Sequence, residues 1–271
     1  MSIQRDPDGR RSVRVECEVP GTPEQVWQAI ATGPGISAWF VPTTVDGKVG
    51  GETVSDFGGG MVSKAKITAY DPPRRFAAEA PGWSEGMPPV ATEWTIEAQA
   101  GGTCRLRVVH SMFASSDDWD SQIEHTQDGW PSYFVVLRRY LTRFAGEACA
   151  QVQAMAMSSS SCGEAWQTLS DAMQLDEGKP GQSISVEMPG GVAMSGKVQR
   201  VARSGEHHTL HVAPDAPAPG TLFVGAFPCG GAMASLQAYF YGDRAERVAA
   251  DVGPHVQKWL QGVFPAEAAS G

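Results

Sequence analysis

Between residues 12 and 19, Val13, Val15, Cys17 and Val19 alternate with Arg14, Glu16 and Glu18. A period of two predicts a strand with one dry face and one wet face. Pro20-Gly21 breaks it, and Thr22-Pro23-Glu24-Gln25 then supplies an N-cap, a proline at the first helical position and a carboxylate near the positive end of the dipole. A short helix is expected over 23–31. After Gly33-Pro34-Gly35, a second short helix is expected over 36–40, carrying Trp39-Phe40, a large pair that needs a cavity or a partner. Strand-length runs bounded by Gly, Pro or Asp follow at 50–54, 61–70, 76–80, 92–98 and 104–112, an antiparallel meander. Trp94 and Ile96 oppose Glu93, Thr95 and Glu97, while Leu106, Val108, His110 and Met112 oppose Arg105, Arg107 and Val109. The sheet therefore has one apolar face.

From about 120 to 148 the period becomes helical. Trp130, Phe134, Leu137, Leu141 and Phe144 fall on one stripe, which must lie across that face. Residues 151–162, with the serine run 158–161, read as a linker between a domain at 1–150 and a second at 163–271. The order of elements then recurs in shortened form. Glu164-Ala165-Trp166-Gln167-Thr168-Leu169 echoes Gln25-Val26-Trp27-Gln28-Ala29-Ile30, strands are expected at 182–188, 192–201, 207–212, 222–227 and 235–241, and a closing helix at 243–264 carries Val248, Val252, Val256, Leu260 and Val263. The pattern is that of a degenerate internal duplication.

With 271 residues the chain has room for two cores, and 42% apolar with 19% charged residues is an ordinary globular composition. A formal charge of −9 disfavours a nucleic-acid or anionic-membrane partner. The polar start and the lack of any long apolar run point to a soluble, cytoplasmic protein. Cys17, Cys104, Cys149, Cys162 and Cys229 are scattered and without a CxxC pair, so they read as reduced thiols.

Several motifs carry a resemblance. Ala38-Trp39-Phe40-Val41-Pro42, Asp46-Gly47-Lys48-Val49-Gly50-Gly51, Asp71-Pro72-Pro73-Arg74-Arg75-Phe76, the segment from Gly101-Gly102-Thr103 through His110-Ser111-Met112-Phe113, and Gly129-Trp130 stand in one order along the chain. In that order they resemble the Hsp90-ATPase-activator-like (AHSA-type) branch of the START-like, or SRPBCC, superfamily over residues 13–145. The departures are Met112, where the family usually has glycine, and Lys48, where arginine is common; both are expected to reshape the pocket. The resemblance implies an α+β helix-grip (START/Bet v 1-like) fold, a curved antiparallel sheet wrapped on a long C-terminal helix, here in tandem. It also implies a cavity between sheet and helix.

The inward rows would line that cavity with Trp39, Phe40, Trp94, His110, Met112, Trp130, Tyr133, Phe134 and Leu137. A ligand carrier of this kind is expected to hold an open space of a few hundred Å³. His110 is the polar member of its row, able to orient a ligand or to exchange a proton near neutral pH. His125 would stand at the mouth, with Asp117, Asp118, Asp120 and Glu124 nearby as a solvated loop and helix start. His207, His208 and His211 resemble a metal cluster only superficially, because His207 and His211 would lie ~13 Å apart on one strand face. The glycine runs at 58–60, 101–102, 190–191 and 230–231 read as hairpin turns rather than phosphate loops, and neither a nucleophile elbow nor a dinucleotide fingerprint is present. No metal and no cofactor is expected. The expected function is non-enzymatic binding of an apolar or amphipathic small molecule as a carrier, sensor or stress-related protein. Two alternatives stand beside it: a polyketide cyclase/aromatase-type enzyme using His110, and a co-chaperone-like module whose partner is a chaperone or another protein.

Overall fold

The computed structural model describes residues 4–5, 10–82, 86–113, 120–175, 178–204, 206–229 and 231–265, the side chains of 113, 120–127 and 204 excepted. The chain divides into two units, residues 1–146 and 147–271.

The first unit opens with the short β1 (Gln4–Arg5) and the long β2 (Arg10–Pro20). Helices α1 (Pro23–Ala31) and α2 (Gly33–Ser37) follow, then β3 (Thr43–Val45), β4 (Glu52–Asp56), β5 (Val62–Asp71), β6 (Arg75–Ala80), β7 (Val90–Gln99), β8 (Thr103–Phe113) and the long α3 (Asp120–Arg143). The strands form one antiparallel sheet in the order β1-β2-β8-β7-β6-β5-β4-β3, so the first long strand closes against the last. A bulge between Ile67 and Ala69 interrupts the β5–β6 ladder and bends it. The β7–β8 hairpin turns through Gly101 and Gly102, both at positive φ, where a side chain would be strained. This is the α+β helix-grip architecture.

Helix α1 begins where the sequence places it. The Gln25 amide donates to Thr22 Oγ1 at 3.4 Å and the Thr22 amide to Gln25 Oε1 at 2.9 Å, a reciprocal cap that satisfies two otherwise orphaned donors. Helix α2 lies three residues earlier than expected. The cause is Thr32, whose hydroxyl accepts from the Gly35 amide at 3.1 Å and starts a new turn at once. Trp39 consequently falls after the helix and is buried, 1% exposed, with its indole N–H donating to the Ala29 carbonyl at 2.8 Å. Helix α3 stops at Arg143 rather than 148, and Gly146, at positive φ, donates its amide to the Tyr140 hydroxyl at 3.1 Å.

The second unit runs β9 (Ala150–Ser158), α4 (Cys162–Ala172), β10 (Ser183–Met188), β11 (Val192–Ser204), β12 (His207–Ala216), β13 (Gly220–Pro228), β14 (Ala232–Phe240) and α5 (Ala245–Val263). Its sheet order is β10-β11-β12-β13-β14-β9. Set beside the first unit without β1, this is the same winding with one strand fewer, and the first strand again closes against the last. The sequence echo between the two tryptophan segments matches this: Trp27 on α1 and Trp166 on α4 are both buried, and Ser161 and Glu164 build the same reciprocal cap as Thr22 and Gln25.

One expectation is corrected. The stretch read as a linker, 151–162, supplies most of β9, paired in full register with β14 from Ala150↔Phe240 to Ser158↔Ala232, and then the start of α4. Alanine is a weak strand former, so Ala150, Ala154 and Ala156 gave little signal; the neighbouring strand decides the conformation. Gln257 of α5 holds the free edge of β9, accepting from the Met155 amide at 3.3 Å and donating to its carbonyl at 3.1 Å. Arg138 of α3 serves β2 likewise, donating to the Glu18 carbonyl at 2.8 Å. Hydrogen exchange tests the correction. The amides of 151–157 that face β14 are expected to exchange at least about a hundredfold more slowly than an unstructured chain; exchange at the unstructured rate would restore a linker.

Candidate functional site

Strand pairing builds the centre of the site. In the β7–β8 ladder Thr92 stands opposite His110, Trp94 opposite Val108 and Ile96 opposite Leu106, so the inward side chains of two neighbouring strands form one surface. Helix α3 brings Trp130, Tyr133 and Phe134 to that surface, and the turn after α2 brings Trp39 and Phe40.

These rings meet one another. The Trp130 indole has Trp94 edge-on at 5.0 Å and 88°, Phe40 at 5.4 Å and 24°, Phe134 at 5.7 Å and 23°, and Tyr133 and Trp39 at 6.3 and 6.4 Å. Edge-to-face and offset-parallel contacts in this range are the favoured aromatic geometries. With His110, which also meets Trp130, seven of the nine expected lining residues form one connected cluster. Leu137, fully buried, continues the same helical stripe. Met112 lies apart, in a small group with Val13, Met87 and Val90. Lys48 lies at the surface, where it pairs with Asp46 at 3.0 Å, so that departure from the family pattern leaves the cluster untouched.

Among the described residues the rings of this surface pack against one another at these distances. Two concavities lie elsewhere, about 190 Å³ lined by Glu16, Cys17, Glu18, Gln99 and Arg105, and about 140 Å³ among residues 174–198. Neither contains a member of the cluster.

His110 is the buried polar centre, 5% exposed. Trp130 Nε1 lies 2.7 Å from His110 Nε2, and Thr92 Oγ1 lies 2.9 Å from Nδ1. An indole N–H only donates, so Nε2 accepts. The proton of a neutral imidazole must then sit on Nδ1, which donates to the Thr92 hydroxyl. The His110 and Trp130 rings are 15° from coplanar at 5.7 Å between centroids, an arrangement compatible with a bond between two ring edges. Burial lowers the His110 pKa from 6.5 to about 4, because the charged imidazolium loses its water. Protonation would also set a donor on Nε2 against the indole donor.

Thr92 is the residue that sequence reasoning missed. Its signal was present, since alternation puts 92, 94 and 96 on one face. Phe57 was missed too; it stands against Phe40 at 5.8 Å and 87° just before the glycines of the β4–β5 turn. His125, Asp117, Asp118, Asp120 and Glu124 lie outside the described side chains. In the second unit His207 and His211 lie on β12 against Phe227 and Phe223 of β13, and His208 lies against Trp166. Among the described residues no group of three or more metal-ligating side chains converges, and no helix is long and apolar enough to cross a membrane. The five cysteines are free, and burial pushes the Cys17 and Cys149 thiols up to about 12.

The family described as Activator of Hsp90 ATPase homolog 1-like protein has a sequence model that matches residues 20–142. The first unit is a domain of this family. That match spans the segment from the end of β2 to the last turn of α3, so the ring cluster belongs to the Activator of Hsp90 ATPase homolog 1-like domain. No curated protein matches the chain in sequence. Among solved structures the chain is similar to DynU16, a protein of the dynemicin biosynthetic locus (20% identity, 90% of this chain and 95% of that one, TM-score 0.44). It is also similar to the di-domain ARO/CYC BexL from the BE-7585A biosynthetic pathway (12% identity, 93% and 92%, TM-score 0.46). Over 50% of its length it is similar to the Aha1 dimer from Colwellia psychrerythraea (20% identity, 98% of that chain, TM-score 0.42).

The lowered pKa of His110 has a consequence for stability. Between about pH 6.5 and 4 the unfolded chain binds a proton at this position and the folded one does not. The stabilisation is therefore complete above 6.5, is lost as pH falls toward 4, and changes no further below. Its size is on the order of 3 kcal/mol. Denaturant titrations of the wild type and His110→Gln across pH 4–7 are expected to show a steeper acid loss in the wild type; parallel curves would mean that His110 titrates normally.

Proposed function

We propose that the Activator of Hsp90 ATPase homolog 1-like domain binds a hydrophobic small molecule between its sheet and α3, at His110, and does not transform it. The observation that carries this reading is a neutral, fully oriented imidazole at the centre of an aromatic cluster. A core needs only apolar side chains there, and this buried imidazole is tolerated because Thr92 and Trp130 satisfy both of its nitrogens. A binding site gains from it, because one fixed acceptor in an apolar surround orients a ligand that would otherwise slide.

The same feature supports binding over catalysis. A general acid or base works best with a pKa near the operating pH. With a pKa near 4, His110 is neutral at pH 7 and weakly basic. Both ring nitrogens already hold hydrogen bonds, to Thr92 and Trp130, so a bound ligand and a reacting substrate alike would have to displace one of these partners; the low basicity is what favours binding.

Native mass spectrometry of the protein purified from the cells that make it tests this directly. One apolar compound per chain, released unchanged on denaturation, is the expected result. A protein that stays empty after incubation with an apolar extract of those cells would overturn the reading. Recovery of a chemically altered compound would replace it with the cyclase-type alternative, and a bound chaperone in place of a small molecule would replace it with the co-chaperone-like one.

A further inference from the structure

We propose that the Trp130 indole occupies the ligand's own position, and that the ligand is a flat bicyclic aromatic with one hydrogen-bond donor on its edge. The inference rests on the reading that this domain binds a small molecule at His110, and it adds what that molecule is and what it displaces.

The argument starts from what surrounds the indole. Two rings lie nearly parallel to it, Phe40 and Phe134, and Trp94 presents an edge to it. The edge of the indole points its N–H at an acceptor 2.7 Å away. With an N–H donor in that place Nε2 accepts, and the Thr92 hydroxyl then accepts from the Nδ1 N–H. A slot of aromatic faces closed by one acceptor recognises a planar π-system with one donor, and a saturated chain or a carboxylate satisfies neither demand. Trp130 satisfies both.

Its backbone allows it to leave. Trp130 stands between Gly129 and Pro131 inside α3. Proline has no amide hydrogen to give to the carbonyl four residues earlier, and its ring crowds that carbonyl, so the helix is weakest at this turn. Gly129 adds the most permissive backbone on the other side, and among the described residues nothing lies within 4 Å of where its Cβ would be. The aromatic partners outside α3 are held elsewhere: Trp39 is tied to Ala29 by its own indole N–H, and Trp94 is fixed within the β7 ladder. The Trp39 and Trp94 sides of the enclosure can therefore persist while its occupant moves.

The experiment uses 2-naphthol, which has the donor, and naphthalene, which lacks it, against the full-length wild type and Trp130→Ala. In the variant the site opens without displacing a side chain, so 2-naphthol is expected to bind at least about tenfold more tightly than to the wild type. 2-Naphthol should also exceed naphthalene by about tenfold, the value of one buried hydrogen bond, and His110→Leu in the Trp130→Ala background should abolish that preference. If Trp130→Ala does not fold, the wild type still decides. Its Trp130 indole N–H signal, assigned by its absence in Trp130→Phe, is expected to shift as 2-naphthol is added. A signal unmoved at saturating probe, or a variant that binds both probes equally or neither, overturns the inference. If the native protein nevertheless carries a small molecule, small-molecule binding stands and the Trp130 position as its place falls. If the native protein is also empty, both fall.

Discussion

A single hydrogen bond organises the interior of the first unit: the Trp130 indole N–H donating to His110 Nε2 at 2.7 Å, in a place lined by rings. Because the indole can only donate, the imidazole must be neutral and must carry its proton on the other nitrogen. That proton needs an acceptor, and the only geometry that supplies Thr92 is the β7–β8 register that sets it opposite His110. A one-residue slip would turn Thr92 outward and leave a buried N–H unpaired. Sheet register, imidazole tautomer and the depth of α3 are thus one constraint, enforced by the cost of an unpaired polar atom away from water.

The two units share a winding but differ in what fills it. The sheet of the second unit contributes aliphatic side chains to its core, among them Leu210, Val212, Leu222, Val224 and Leu236, with Val248, Val252, Val256 and Leu260 of α5 against them. The opposite face of that sheet buries His211, Thr221, Ser235 and Gln237. The first unit places an imidazole, a hydroxyl and several large rings at the corresponding level. The proposed site rests on this chemistry of the first unit rather than on its topology.

Much of this was legible in the sequence. Period-two alternation put Trp94, His110 and Met112 inward, helical spacing put Trp130, Phe134 and Leu137 on one stripe, and the order of motifs named the family of residues 20–142. What was not legible has specific causes. Alternation says which side chains face inward but not how close opposing rows approach, so a lined cavity and a closed ring cluster have the same pattern. Met112 shares a row with His110, yet sits two residues further along the strand and packs with Val13, Met87 and Val90. Strand β9 was hidden because its inward alanines are small and weakly strand-forming; it exists through its pairing with β14. Helix α2 was misplaced because a threonine between two helices can cap the second before the chain has left the first.

The protonation state of His110 is the centre of this account, and its ring nitrogens report it directly by NMR. The expected spectrum shows a neutral imidazole with the proton on Nδ1, unchanged from pH 8 down to about 5, since its pKa lies near 4. A proton on Nε2, or a titration centred near 6.5, would contradict the bond from Trp130 and the site built around it.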